Sequence, residues 1–189
     1  MTSSAPRAVQ FSETMAGWFA MGATDPLLGA REGRRAGTGC SLKALVQIAD
    51  IASFARTADH VATLHGRVDM RTFDGGLSGV GRVRLFAPGA TGKGKVLEYH
   101  LPLVQDGKSF LLAGSKTVNG GAPWRVWNET TTLYTRLHDG PDANAPVIGA
   151  GVLRIRMLGL LHTLTTFRGA GIPGYGRFFA GELLDSYVL

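Results

Sequence analysis

One cysteine, Cys40, is the whole thiol content of the sequence, and that scarcity excludes an internal disulfide and any zinc site built on several thiolates. Long apolar runs are missing too, since none approaches the about 20 residues of a membrane-spanning helix. Met1 to Gln10 has no apolar core of the signal-peptide kind, so a cytoplasmic location is expected. Charge is sparse: 18% of residues are charged against 44% hydrophobic, which favours a folded core over disorder. Basic residues are not interleaved with aromatics on one face, so nucleic acid is not an expected partner. The formal charge of +6 comes partly from Arg31, Arg34 and Arg35 and otherwise from residues placed singly along the chain, which reads as a solvated face.

What is plentiful is glycine, 27 residues among 189, scattered between short apolar runs. That spacing implies many turns and therefore many strands, within the length of one domain. Residues 1–10 read as a flexible tail, and residues 11–189 as a single domain with no repeat or long linker. Phe11 to Phe19 is a candidate first strand. Ala16 to Gly39, with its glycines, Pro26 and the arginine cluster, reads as a long loop able to act as a lid.

Strict alternation follows. Leu42, Ala44, Val46 and Ile48 share one face, and Ile51 to Asp59 suits a short helical turn. In Val61 to Arg71, Ala62, Leu64, Gly66, Val68 and Met70 oppose Thr63, His65, Arg67, Asp69 and Arg71. Further strands are expected at Val80–Phe86, Val96–Val104, Ser109–Val118, Asn128–His138, Val147–Met157 and Leu160–Phe167. After Pro173 the period changes: Tyr175, Phe178, Phe179, Leu183 and Tyr187 recur at helical spacing. The expected fold is all-β, a closed antiparallel barrel of about eight strands with a C-terminal helix, because closure removes exposed edges and such a barrel just holds one small ligand.

Asp106-Gly107 sets a register. Both central residues of a type I′ turn need positive φ, and this pair supplies them. Gln105 then faces Lys108, Leu103 faces Phe110, Leu101 faces Leu112, Tyr99 faces Gly114 and Leu97 faces Lys116. Directly paired residues share a face, so Lys116 points inward with Leu97, Tyr99, Leu101, Leu103, Phe110 and Leu112. An unpartnered ammonium in an apolar interior is costly. Three roles are open to it: reaching water at a mouth, a structural ion pair, or work on a ligand. Glu129 is the candidate partner, because it begins an alternation through Thr131, Leu133, Thr135 and Leu137. Trp124, Trp127 and Tyr134 flank the polar run Asn128–Thr132, either as packing or as a pocket wall.

Other motifs fail on context. Gly169-Ala-Gly171-Ile-Pro-Gly174 has the letters of a dinucleotide fingerprint, but too little chain follows for a second strand and a ribose-binding acid. Gly89 to Lys95 lacks phosphate-loop spacing. His60, His65, His100, His138 and His162 show no metal-ligand spacing, and Cys40 has no local base. No metal and no cofactor is expected.

Several segments together carry a resemblance. They are Phe11-Ser-Glu-Thr-Met-Ala-Gly17, His60-Val-Ala-Thr-Leu-His-Gly66, Leu85-Phe86, Tyr99 followed by Asp106-Gly107, Gly114-Ser-Lys116, Thr130-Thr-Thr-Leu-Tyr134, Gly149-Ala-Gly151 and Phe178-Phe-Ala-Gly181. In order and spacing they resemble the lipocalin-like accessory barrel domain found beside cholesterol-oxidase-like members of the glucose–methanol–choline oxidoreductase family in bacteria. The resemblance spans nearly the whole chain. It implies association with oxidation of sterol-like or other lipophilic substrates, and an acidic residue before the threonine run, here Glu129. It implies no flavin site here, since the flavin fingerprint is absent. The domain is read as standing alone, without an oxidase beside it, an expectation that leaves room for independent catalysis.

The expected function is a cofactor-free barrel that binds a small lipophilic metabolite of sterol, terpenoid or polyketide type, alone or as a homodimer, beside a flavin-dependent oxidoreductase. Its lining would include Leu64, Met70, Leu97, Leu101, Phe110, Leu112, Trp124, Trp127, Thr131 and Leu133. The alternative is an isomerase or cyclase that folds a flexible substrate, with Lys116, Glu129 and Tyr99 as its polar participants. A basic surface module for nucleic acid or acidic lipid is a third class.

Overall fold

A computed structural model of the chain describes residues 6–89, 94–118, 131–155 and 166–188. Strands such as Gly39–Ile48 and Val61–Met70 alternate buried and more exposed residues, as period two requires when one face is dry. In chain order the elements are β1 (Val9–Met21), α1 (Pro26–Ala36), β2 (Gly39–Ile48), α2 (Ile51–Phe54), β3 (Val61–Met70), β4 (Phe73–Pro88), β5 (Lys95–Gln105), β6 (Lys108–Val118), β7 (Thr132–His138), β8 (Val147–Ile155) and α3 (Ile172–Val188). Every strand pairs antiparallel with its neighbours in sequence, and β1 also pairs with β8, so the sheet closes into a barrel. No described helix is long and apolar enough to cross a membrane.

The Asp106-Gly107 turn has φ of 51° and 76°, and β5 and β6 pair from Gln105↔Lys108 through Leu97↔Lys116 without a shift. That uninterrupted register sends Lys116 into the barrel. Around the interior, Met15, Leu42, Val46, Leu64, Leu101, Leu133, Leu137 and Leu153 are completely buried. Gly66 and Gly114 form floors under leucines: a Cβ on Gly66 would strike the Leu101 side chain, and one on Gly114 would lie 2.9 Å from a Leu133 methyl.

The structure corrects the expected loop at Ala16–Gly39. β1 runs on to Met21, and α1 then lies on the outer wall of β1 and β8 rather than serving as a flexible lid. Asp25 caps the helix, accepting from the Leu28 N–H at 2.8 Å, Pro26 occupies its first turn, and Gly37 ends it at φ 68°. Its apolar stripe is made of small residues, Pro26, Gly29 and Gly33, so the helix sits directly on strand backbone. The short apolar side of this helix is what the glycine content disguised as a loop. Arg34 and Arg35 lie in its last turn, where the helix dipole favours cations.

The tail is shorter than expected. The Arg7 N–H donates to Asp50 Oδ1 at 3.1 Å, the Ala8 carbonyl accepts from Gly171 N–H at 2.8 Å, and β1 begins at Val9. β4 begins at Phe73, earlier than Val80, because Gly75 and Gly76 adopt positive φ within a continuous strand. Of the last two expected strands, β8 is described to Ile155, while residues 160–165 lie outside the described residues.

α2 and α3 cover one end of the barrel, where β1, β3, β5 and β7 begin. Phe54, His60, Phe86, Phe178, Phe179, Tyr175, Phe167 and Phe11 form a continuous aromatic cluster there, with centroids 4.7–6.3 Å apart. Lys95 on β5 pairs with Glu182 on α3 at 2.8 Å. The side chains of Leu183 and Tyr187 lie outside the described residues.

Close seating of α1 on backbone gives a direct test. A Cβ on Gly33 would lie 2.5–2.6 Å from Phe19 backbone atoms, which cannot move without disturbing β1. Gly33→Ala is expected to lower stability by about 1–3 kcal/mol in urea denaturation, despite alanine's better helix propensity, whereas Leu28→Ala on the outer side of α1 changes it little. Equal stability of wild type and Gly33→Ala would show that α1 does not seat on β1.

Candidate functional site

Glu13 on β1, Tyr99 on β5 and Lys116 on β6 meet inside the barrel. β1 and β5 are four strands apart in an eight-stranded ring, so the cluster bridges opposite walls. The Tyr99 hydroxyl donates to Glu13 Oε1 at 2.6 Å, and Lys116 Nζ donates to the Tyr99 oxygen at 3.1 Å. Lys116 Nζ stands 3.8 Å from Glu13 Oε2 and 4.9 Å from the centre of the Tyr99 ring. Exposure is 6% for Glu13, 3% for Tyr99 and 1% for Lys116, so the three groups are held out of bulk water.

Burial governs their proton affinities. It lowers the Lys116 pKa from the ordinary lysine value, and the Glu13 carboxylate only partly opposes this. It raises Tyr99 well above a normal phenol, helped by the Glu13 charge, so Tyr99 remains a protonated donor. Tyr175 on α3 is raised by the same two causes in the same order. The ammonium has three donors and, among the described residues, one hydrogen-bond acceptor, the Tyr99 oxygen. The phenol, not the lysine, holds the carboxylate. The arrangement is therefore a hydrogen-bonded chain, lysine to phenol to carboxylate, with the Lys116–Glu13 ion pair at 3.8 Å alongside it.

Glu13 is the site residue that the sequence reading missed. It occupies the inward phase of β1 with Val9, Phe11 and Met15, and its register neighbours on β2, β3 and β4 are Ala44, Gly66 and Gly79. A carboxylate in the apolar phase of a strand was the available signal, the same one that marks Lys116. The expected partner, Glu129, lies outside the described residues, as do Trp124 and Trp127.

Of the expected lining, Leu64, Met70, Leu97, Leu101, Phe110, Leu112, Thr131 and Leu133 are all buried. They do not converge on one point. Leu97 pairs with Lys116 near the α3 end, whereas Met70 and Phe110 sit toward the other end, where Phe110 and Phe73 are 5.6 Å apart. Tyr134 points outward and is exposed, so it is no pocket wall. His65 and His100 also face outward, and burial with the Arg82 charge lowers the His100 pKa. Among the described residues no group of three metal-ligating side chains gathers.

The outer wall carries a separate open groove of about 640 Å³ across β1–β4, lined by Ser12, Thr14, Lys43, His65, Arg67 and Ser78 among others. Arg67 there is tied to Asp69 at 3.1 Å. Cys40, on the inner wall, has its thiol pushed up to about 12, chiefly by burial and secondly by the Asp69 charge, which leaves it protonated and unreactive at neutral pH. Comparison with protein-family models, curated proteins and solved structures finds no match to this chain.

Two measurements probe the energetics of these groups. Removing one member of a buried charged set leaves the others uncompensated, so Lys116→Met is expected to cost about 3–5 kcal/mol, whereas Glu13→Leu with Lys116→Met is expected to be at least as stable as wild type. A double variant as unstable as the single one would mean that the cluster is there for stability. For Cys40, the folded pKa of about 12 exceeds the ordinary value of 9.0, so its contribution is intact below pH 9 and lost as pH rises toward 12. Over that window the wild type should lose up to about 1.4 kcal/mol per pH unit more than Cys40→Ala in urea denaturation. Parallel curves would show that Cys40 ionises freely in the folded state.

Proposed function

We propose that the barrel binds a small lipophilic molecule bearing one oxygen function, with Lys116, Tyr99 and Glu13 as the polar anchor. The observation that carries this reading is the hydrogen-bonded chain of three ionisable side chains on a largely apolar inner wall. Burying two charges costs several kcal/mol each, against which stand two hydrogen bonds and an ion pair at 3.8 Å. A packed aliphatic interior would serve stability better, so the cluster is kept for what it contacts. A ligand carbonyl or hydroxyl beside Tyr99 would accept from Lys116 and complete its hydrogen bonding.

Entry is at the α3 end. Lys116 lies close to the end of β6 on that side, and α3 is a weakly committed cover. Gly174, Gly176 and Gly181 each reduce its intrinsic helicity, and Gly176 and Gly181 have open space where a side chain would stand. Displacement of Tyr175 and Phe178 would open the mouth toward the cluster. The ligand classes we propose are sterols, terpenoids and polyketides, admitted as that cover moves. The segment resemblance set out above supports a place beside a flavin-dependent oxidoreductase that produces or consumes the oxygenated ligand.

A second reading shares this site. The Tyr99–Glu13 hydrogen bond provides a donor and an acceptor on one chain, which favours isomerisation or cyclisation of the bound molecule by proton transfer. Turnover that is lost in Tyr99→Phe while binding persists would distinguish this enzyme from a carrier.

The test is native mass spectrometry of the gently purified protein, followed by titration of the delipidated protein with a panel of sterols, terpenoid ketones and polyketides. A neutral oxygenated ligand is expected at one per chain, with Lys116→Met and Tyr99→Phe each weakening it by about tenfold, the worth of one buried hydrogen bond. Binding that is indifferent to both substitutions, or no binding to any member of the panel, would overturn the proposal.

A further inference from the structure

We propose that Lys116 captures a lipophilic aldehyde or ketone covalently, as a protonated imine, with Tyr99 as the proton donor to the departing oxygen and Glu13 as the counter-ion. This rests on the ligand-binding reading above and specifies the ligand class as a carbonyl compound. Three features of the cluster lead to it. The amine is sequestered from water, and burial shifts it toward the neutral, nucleophilic form. A phenol, itself kept protonated by burial and the nearby carboxylate, touches the nitrogen at 3.1 Å, where the carbonyl oxygen of an attacked ligand would stand. The carboxylate lies beyond direct hydrogen-bond range of the nitrogen, at 3.8 Å, yet close enough to stabilise a positive charge on it.

The proton inventory closes within the cluster. Lys116 gives one proton through Tyr99 to Glu13 and becomes the free amine. The nitrogen lone pair forms a bond to the carbonyl carbon, and the carbonyl π pair moves to oxygen, which takes a proton passed from nitrogen by way of Tyr99. The nitrogen lone pair then forms the C=N bond as the C–O bond breaks. The oxygen leaves as water with the proton that Glu13 returns through Tyr99. The sum is one ammonium and one carbonyl giving one iminium and one water, with Glu13 again the carboxylate and no oxidant or reductant consumed. The iminium keeps the charge of the ammonium it replaces, so the counter-ion geometry serves both states. Water must be scarce for the imine to persist, and the aromatic cover of α3 excludes it.

The test uses the full chain with decanal as probe and decan-1-ol as the matching compound that cannot form an imine. Native mass spectrometry reads binding of both. Sodium cyanoborohydride at neutral pH then traps any imine as a secondary amine, a gain of the mass of decanal less its oxygen, and peptide mapping locates it. The expected result is trapping at Lys116 ahead of the surface residues Lys43 and Lys108, no such adduct in Lys116→Arg, and trapping slowed by about a hundredfold in Tyr99→Phe at saturating decanal, a loss of rate beyond its about tenfold weaker binding. If both probes bind but label appears only on surface lysines, the imine is wrong and the non-covalent reading survives. If neither probe binds, the binding reading itself has failed and the imine with it. The wild-type peptide map decides even where a variant does not fold.

Discussion

The hydrogen bond from Tyr99 to Glu13 is the interaction on which the interior is organised. It joins β1 to β5, residues 86 apart in sequence, across the diameter of the barrel. It needs β1 and β5 to face each other across the closed ring, and the β5–β6 register then adds Lys116 to it. A one-residue slip would turn Lys116 to solvent and strand Glu13 against a phenol alone. Closure, register and the buried cluster are thus one constraint seen at three scales: the pairing of β1 with β8 brings the carboxylate, the Asp106-Gly107 turn brings the lysine, and Tyr99 spans them.

The apolar surroundings give that constraint its chemical meaning. Leu101 packs over Gly66 and Leu133 over Gly114, and the three polar side chains are buried away from bulk water. In such surroundings, an amine loses part of its reason to be charged and a phenol most of its acidity. The cluster is costly to bury, and it lies toward the end of the barrel that α3 covers with a glycine-bearing helix. That combination is what the proposed ligand site rests on.

Much of this fold was legible because alternation is local. Val61–Met70 declared both faces in ten residues, and Asp106-Gly107 carried the register from the turn to Lys116. Glu13 was harder. Its segment, Phe11 to Phe19, alternates too weakly to make a carboxylate in the apolar phase stand out, and its partner comes from the far wall. α1 was misread because Gly29 and Gly33, which seat it on β1 and β8, look like loop residues to any propensity argument. Its start and stop signals, Asp25-Pro26 and Gly37, were nevertheless present. The two failures share a cause: contact across the barrel, or through backbone, leaves no period in the sequence.

The claim at the centre is that Lys116 lives inside, on the phenol, and meets whatever enters. Lysine methylene resonances followed by NMR through a pH titration read that state directly. The account predicts one resonance, absent in Lys116→Arg, that titrates below the surface lysines and shifts when a lipophilic carbonyl compound is added. A Lys116 signal that titrates with the surface lysines and ignores the ligand would contradict it.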